Sequence, residues 1–243
     1  MTHFLASVTT LSEARAAVAG GADIIDCKDP SRGALGALPV ATVAAIRTGL
    51  PRHILVSATI GDLPADATEV ARAAHAMARS GADIVKIGLF PGGDPRATIR
   101  ALGVLDVAPV RIAGLLLADC EPDFDLIEGM ADAGFVGVML DTAIKANGTL
   151  RDHQSPAALS QFAHLAQKRG LFAGFAGSLG LSDIAPLMRL KPNVLGFRGA
   201  LCTRCVRTGP LDADAVRAVA ALMREHGCDQ PSTHPALTTG TAR

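Results

Sequence analysis

The feature that most constrains this chain is a rhythm: an apolar run of strand length, a turn, an amphipathic stretch of helix length, then the next apolar run. It starts with "HFLASV" at residues 3–8 and "LSEARAAVAGGAD" from residue 11, whose Ala/Val/Leu spacing fits a helix closed by Gly20 and Gly21. The pair recurs as "ADIIDCKD" with 39–49, "HILVSATI" with 67–80, "ADIVKIGLF" with 94–105 and "RIAGLLLAD" with 123–133. It continues as "FVGVMLDT" with 156–169, "LFAGFAGS" with 181–190 and "NVLGFRGAL" with 211–227. Strands separated by helices pair in parallel through crossover connections, and about eight such units close a ring. The pattern predicts an α/β protein, a single-domain (β/α)8 TIM barrel over residues 1–227. An open doubly wound sheet is the alternative; against it, no GxGxxG turn follows the first strand and nothing marks a reversal of strand order. From residue 228 to 243 the chain reads "CDQPSTHPALTTGTAR", loses its periodicity and gains Pro, Thr and Ser, which predicts a mobile C-terminal tail.

Short internal similarity accompanies the rhythm. Gly21-Ala22-Asp23 aligns with Gly81-Ala82-Asp83, and Ala133-Gly134-Phe135 opens another strand in the same way. A helix stop followed by a strand accounts for this punctuation without any function.

The 23 basic and 23 acidic residues are interspersed, which argues against nucleic acid or an anionic membrane surface as partner. No stretch approaches the ~20 apolar residues of a membrane span. The N-terminus has no basic segment followed by an apolar block, so a cytoplasmic location is expected. The five cysteines, at 27, 120, 202, 205 and 228, read as thiols rather than a disulfide framework. Cys202 and Cys205 form a CxxC with no second pair, and the seven histidines show no ligand spacing, so neither a metal nor another cofactor is expected. The apolar helices around such a barrel carry the expectation of a homo-oligomer.

Residues two apart on a strand share a face, and in a closed barrel one face looks inward. On the second strand Ile25 and Cys27 fall outside, so Asp26 and Lys28 point into the barrel near its C-terminal mouth. On the third, Ile54, Val56, Ala58 and Ile60 leave His53, Leu55, Ser57 and Thr59 inside. Lys86 takes the place of Asp26 in the aligned fourth strand, and Asp141 ends the sixth. Alternate strands fill one layer of a barrel interior, so Asp26, Lys28, Lys86 and Asp141 converge. The chain has five lysines, and Lys28, Lys86 and Lys145, which lies four residues past Asp141, all belong to this region. A lysine in an apolar cavity loses its charged form more readily, and the freed amine is a nucleophile near neutral pH. A single buried pair would read as a structural ion pair; two lysines and two carboxylates at the mouth where barrel enzymes work read as catalytic.

The loops after strands seven and eight, "GFAGSLGLSD" and "GFRGALCTR", are where barrels of this class seat a phosphate. Gly177, Ser178 and Gly199 allow close backbone approach there. Arg198 shares a face with Val194 and Gly196, from which a guanidinium would reach an oxyanion. Ser57, turned inward at the mouth, completes the candidate substrate-binding set.

Taken in order, "GGADIIDCKDPSRGALGA", "LVSATIGDLP", "SGADIVKIGLF", "MLDTAIK", "AGSL" and "GFRGALC" resemble the (5-formylfuran-3-yl)methyl phosphate synthase family, also called 4-hydroxymethyl-2-furancarboxaldehyde-phosphate synthase. The resemblance runs from residue 4 to about 217. It implies a barrel enzyme, a lyase, that makes the furan of methanofuran or methylofuran from two molecules of the phosphorylated triose glyceraldehyde 3-phosphate. It also implies Lys28 as the Schiff-base lysine and Lys86 as a second essential lysine that moves protons. Asp26, Asp141 and Lys145 match its other polar active-site positions, with Ser178 and Arg198 implied as phosphate holders. A Schiff-base aldolase or isomerase acting on another sugar phosphate is the neighbouring reading. A catalytically silent barrel that binds a phosphorylated metabolite as part of an assembly is the reading from a different class.

Overall fold

The structure, a computed structural model, describes residues 1–227 and 234–237. Eight strands alternate with helices along the chain. They run β1 (His3–Val8), α1 (Leu11–Ala19), β2 (Ile24–Cys27), α2 (Val40–Thr48), β3 (Leu55–Thr59), α3 (Ala67–Ala78), β4 (Ile84–Gly88), α4 (Pro95–Gly103) and β5 (Arg111–Leu117). The second half has α5 (Leu126–Asp132), β6 (Gly137–Asp141), α6 (Leu150–His153), α7 (Pro156–Lys168), β7 (Phe172–Phe175), α8 (Leu181–Met188), β8 (Val194–Phe197) and α9 (Ala213–Gly227). Each strand pairs in parallel with the next, and β8 returns to β1, so the sheet is a closed eight-stranded barrel. The predicted (β/α)8 architecture is the one observed. Among the described residues the one α-helix absent from the sequence reading is α6, a single turn ahead of α7. His53 precedes β3 and is exposed rather than turned inward.

The pleat sorts the core into two populations. Outward residues such as Ile25, Val56, Val85, Val138 and Leu195 join the helices in one buried cluster. Inward residues such as Leu5, Ile24, Leu55, Ile84, Met139, Phe172 and Val194 form a second cluster inside the ring. Two strands that differ by one residue in register would exchange these populations, so the burial pattern fixes the register. Helix starts are marked locally: Asp66 and Asp94 accept hydrogen bonds from the first-turn amides of α3 and α4, and Ser155 does so for α7.

The repeated Gly-Ala-Asp punctuation has a structural explanation. Gly21, Gly81 and Gly134 all take positive φ, between 77° and 103°, where a side chain is strained, and each turns the chain from a helix into a strand. The aspartate then takes an amide of the preceding strand: Asp23 accepts from Phe4 N at 2.8 Å and Asp83 from Val56 N at 2.8 Å. Asn193 does the same for Ala173 N.

Most of the predicted tail lies outside the described residues. The part that is described, 234–237, is docked against the N-terminal end of the barrel rather than free of it. Leu237 is 5% exposed within the inner cluster, Arg111 donates to the Ala236 carbonyl, and a ring nitrogen of His234 is 2.9 Å from the Gly170 carbonyl. Among the described residues no helix is long and apolar enough to cross a membrane, and no group of His, Cys, Asp or Glu is placed to hold a metal ion.

Candidate active site

Five of the predicted residues meet at the C-terminal end of the ring. Asp26 is the last inward residue of β2 and Asp141 ends β6, and Lys86 projects inward from β4. Lys28 follows β2 by one residue, and Lys145 opens a 3-10 turn (Lys145–Asn147) after β6. All five line one cavity of about 540 Å³, a size typical of small-molecule sites.

The three lysines are held differently. Lys86 Nζ is 2.9 Å from Asp26 Oδ1, an ion pair with both partners almost fully buried. Asp26 also accepts from Ser57 Oγ at 2.7 Å and Ser7 Oγ at 3.1 Å, so its four lone-pair directions are largely occupied. Lys145 Nζ is paired with Asp141 Oδ1 and also donates to the Thr142 carbonyl. Lys28 Nζ stands 3.8 Å from Asp141 Oδ2, attracted to it but beyond hydrogen-bond reach. The lysine expected to be the nucleophile is thus the one least tied to a carboxylate.

Charge follows geometry. Burial strips water from Lys28 and lowers its pKa to about 8; Asp141 pulls it back up and the neighbouring Lys145 presses it down further. At pH 7 roughly a tenth of such an amine is free, against about three in ten thousand for an ordinary lysine. Burial pushes the Asp141 carboxyl upward, yet the charges of Lys145 and Lys28 outweigh it and hold the group at about 2. Asp26 behaves likewise: burial raises it, and Lys86, Lys28 and the hydrogen bonds from Lys86 and Ser57 bring it below the usual carboxylate range. Both acids are carboxylates at neutral pH, facing three lysines.

Above this floor Gly177, Ser178 and Gly199 line the cavity on the β7 and β8 side, as the sequence predicts. Gly177 has φ 110°, and a Cβ there would meet Thr142 at 3.0 Å, so the close backbone approach needs glycine. Ser178 Oγ donates to the Lys145 carbonyl, tying this loop to the lysine.

Two predicted substrate contacts have other work. Ser57 is outside the cavity lining, with its hydroxyl donated to Asp26. Arg198 does reach inward, but all its N–H donors are taken. They go to both carboxylate oxygens of Glu13, at 2.7 and 3.3 Å, and to the carbonyls of Ser7, Arg207 and Gly209. It is a clamp between the first and last strand–helix units, with no donor left for an oxyanion. Glu13, also bonded to Thr9, is held below its ordinary pKa: burial raises it, and Arg198 with Thr9 more than compensates.

Ser7 and Arg207 are site residues that sequence reasoning missed. The parity of β1, with Phe4, Ala6 and Val8 outside, would have found Ser7. Arg207 sits in an irregular loop where no periodicity speaks.

With this geometry in view, the comparisons with known proteins are specific. The family model described as 4-HFC-P synthase matches residues 4–220. A chain of Methylorubrum extorquens is 42% identical over 91% of this chain and 92% of its own. The (5-formylfuran-3-yl)methyl phosphate synthase of Methanocaldococcus jannaschii is 36% identical, covering 90% of this chain and 99% of that one. Among solved structures, 3-hexulose-6-phosphate synthase from Salmonella typhimurium superposes with TM-score 0.65 at 19% identity, over 93% of this chain and 100% of that one, a likeness of fold. The match spans the whole barrel, from β1 into α9, and takes in every charged residue on the cavity floor: the chain belongs to the 4-HFC-P synthase family of enzymes.

Proposed function

We propose that the protein condenses two molecules of glyceraldehyde 3-phosphate to (5-formylfuran-3-yl)methyl phosphate through a Schiff base on Lys28, in the formation of a methanofuran-type coenzyme. The single observation that carries the reading is the state of Lys28: buried, outside hydrogen-bond reach of any carboxylate and lowered to about 8, it is prepared to attack a carbonyl. The names of the relatives support the furan product.

One triose phosphate isomerises to its ketone, with the Asp141 carboxylate taking a proton from carbon and Lys145, its partner, returning one to oxygen. The Lys28 amine adds to the ketone and water leaves, giving an iminium whose carbon is the electrophile for the new carbon–carbon bond. The second triose phosphate gives up the proton beside its aldehyde and the phosphate on the next carbon, which leaves as inorganic phosphate, and the terminal carbon of the resulting enol attacks the iminium carbon. Lys86, steadied by Asp26, stabilises the charge that develops on the aldehyde oxygen as that proton and the phosphate are lost. The hydroxyl of the first triose closes the ring on the new ketone, and loss of water and of the Lys28 amine leaves the aromatic furan. Two triose phosphates thus become one furan phosphate, one inorganic phosphate and two waters, with no oxidant or reductant.

Incubation with glyceraldehyde 3-phosphate and borohydride tests this. The expected result is a mass addition located on Lys28, together with phosphate release and an ultraviolet-absorbing aldehyde when borohydride is omitted. A trapped imine with no furan would favour an aldolase or isomerase instead. An adduct that persists in Lys28→Ala would remove Lys28 from its role.

A further inference from the structure

The proposed reaction brings two phosphorylated trioses into one cavity, and the glycine-lined wall of Gly177, Ser178 and Gly199 provides one cradle. The arginine expected beside it, Arg198, has no free donor, so the second phosphate needs another cation. The cavity offers two, Arg204 and Arg207, both in the loop between β8 and α9. We infer that Arg204 and Arg207 form a second oxyanion subsite, which holds the phosphate of the aldehyde triose, the phosphate that departs; the inference rests on the two-triose reading above.

The loop is built to present these side chains. Arg198 donates to the Arg207 and Gly209 carbonyls, Thr203 N bonds the Pro210 carbonyl, and Cys205 N bonds the Cys202 carbonyl. Cys202 Sγ lies 3.2 Å from the Arg198 carbonyl, and Cys202 pairs with Leu211 in an isolated bridge. Inside this frame Arg204 and Cys205 take φ of 56° and 58°, two successive side-chain-bearing residues in the left-handed region that favours glycine. That strained turn sets the exposed Arg204 at the rim of the cavity.

Arg207 reaches the other way. One N–H of each terminal nitrogen goes to the carbonyls of Pro30 and Gly33, at 2.9 and 3.0 Å, in the loop that follows Lys28. The remaining donors of the half-buried guanidinium are available to a planar pair of phosphate oxygens. An anion held between a rim arginine and a deeper one has its leaving side toward water, which suits a phosphate that is expelled. The glycine wall, which ties Ser178 to Lys145, then keeps the phosphate retained in the product.

The test compares Arg204→Ala and Arg207→Gln with the unaltered protein. Two assays are run: borohydride trapping with dihydroxyacetone phosphate, and steady-state furan formation with glyceraldehyde 3-phosphate, with and without inorganic phosphate as competitor. The expected result is an unchanged trapped imine, a KM for glyceraldehyde 3-phosphate raised roughly tenfold or more, and weakened inhibition by phosphate. Arg204→Ala is the decisive variant, because its side chain is exposed and Arg207→Gln also loosens the Pro30–Gly33 loop. Unaltered KM and phosphate inhibition in Arg204→Ala would overturn the subsite. Loss of the trapped imine in that variant would overturn its assignment to the aldehyde triose. Failure of the underlying reading looks different: the unaltered protein would trap no imine and release no phosphate.

Discussion

The inner face of this barrel has two storeys one pleat step apart, and five strands change character between them. Leu5 gives way to Ser7, Ile24 to Asp26, Leu55 to Ser57, Ile84 to Lys86 and Met139 to Asp141. All ten are buried. The lower storey is apolar and closed beneath by Leu237. The upper one, equally shielded, is a net of hydroxyls, carboxylates and ammonium groups. Burial below stabilises the fold by removing apolar surface from water. Above, burial works against the fold, since each charge must be compensated, and the incompletely compensated one is Lys28. Stability and reactivity are thus separated by a few ångströms along the same strands.

The sharpest way to break this comparison is to make the upper storey resemble the lower at Lys28. Lys28→Met abolishes the trapped imine and lowers furan formation by about a thousandfold or more, measured by adduct mass and initial rate. The same change raises stability at pH 7 by about 1–3 kcal/mol, seen in chemical denaturation, because Asp141 keeps Lys145 as partner. The pH dependence has a definite sign. The folded chain releases the Lys28 proton at about 8, whereas the unfolded chain keeps it up to the ordinary lysine value of 10.5. Between those values the unfolded state binds more protons, so the stability of the unaltered protein rises with pH and the advantage of the Met variant shrinks. A variant less stable at pH 7 would mean that Lys28 is structurally satisfied after all.

Asp26→Leu makes the same exchange where the charge is compensated. It strands Lys86 without its carboxylate and costs about 3–5 kcal/mol of unfolding free energy, measured by chemical denaturation. A loss under 1 kcal/mol would show that water or another acid serves Lys86.

In the lower storey, Leu237→Ala removes a buried contact for about 2–3 kcal/mol of stability, while borohydride trapping proceeds as before. Equal losses of stability and trapping would show that the storeys are coupled.

The smallest effect sharpens the comparison within the upper storey. Asp141→Asn removes the carboxylate that holds the Lys28 value up, so the midpoint of imine formation against pH moves below about 8, by about one unit. A midpoint that stays or rises would point to another counter-charge.

How much of this was legible beforehand follows the range of each interaction. Strand order, the inward parity of Asp26, Lys28, Lys86 and Asp141, and the helix starts depend on neighbours two to four residues away, and the sequence displays them directly. The rule that alternate strands share a layer brings Asp26, Lys28, Lys86 and Asp141 to one place but does not say which amine faces which carboxylate; that Lys28 stands 3.8 Å from Asp141, across the ring from β2 to β6, is visible only in the structure. What escaped was long-range. Arg198 has the right face for a phosphate, and only its partner 185 residues away, Glu13, reveals that its donors are taken. Residues 234–237 read as tail because their anchors, Arg111 and Gly170, lie in distant units.

The Glu13–Arg198 clamp also bears on how the molecule is made. It joins the first unit to the last, and β8 is itself the partner that completes β1. During synthesis, then, a nascent chain can assemble β1 through β7 as a curved open sheet with two raw edges, but the ring stays unfastened until the ribosome has delivered residue 198. The cavity takes part of its wall from the loop bearing Arg204 and Arg207, so it is complete only once β8 and that loop are in place.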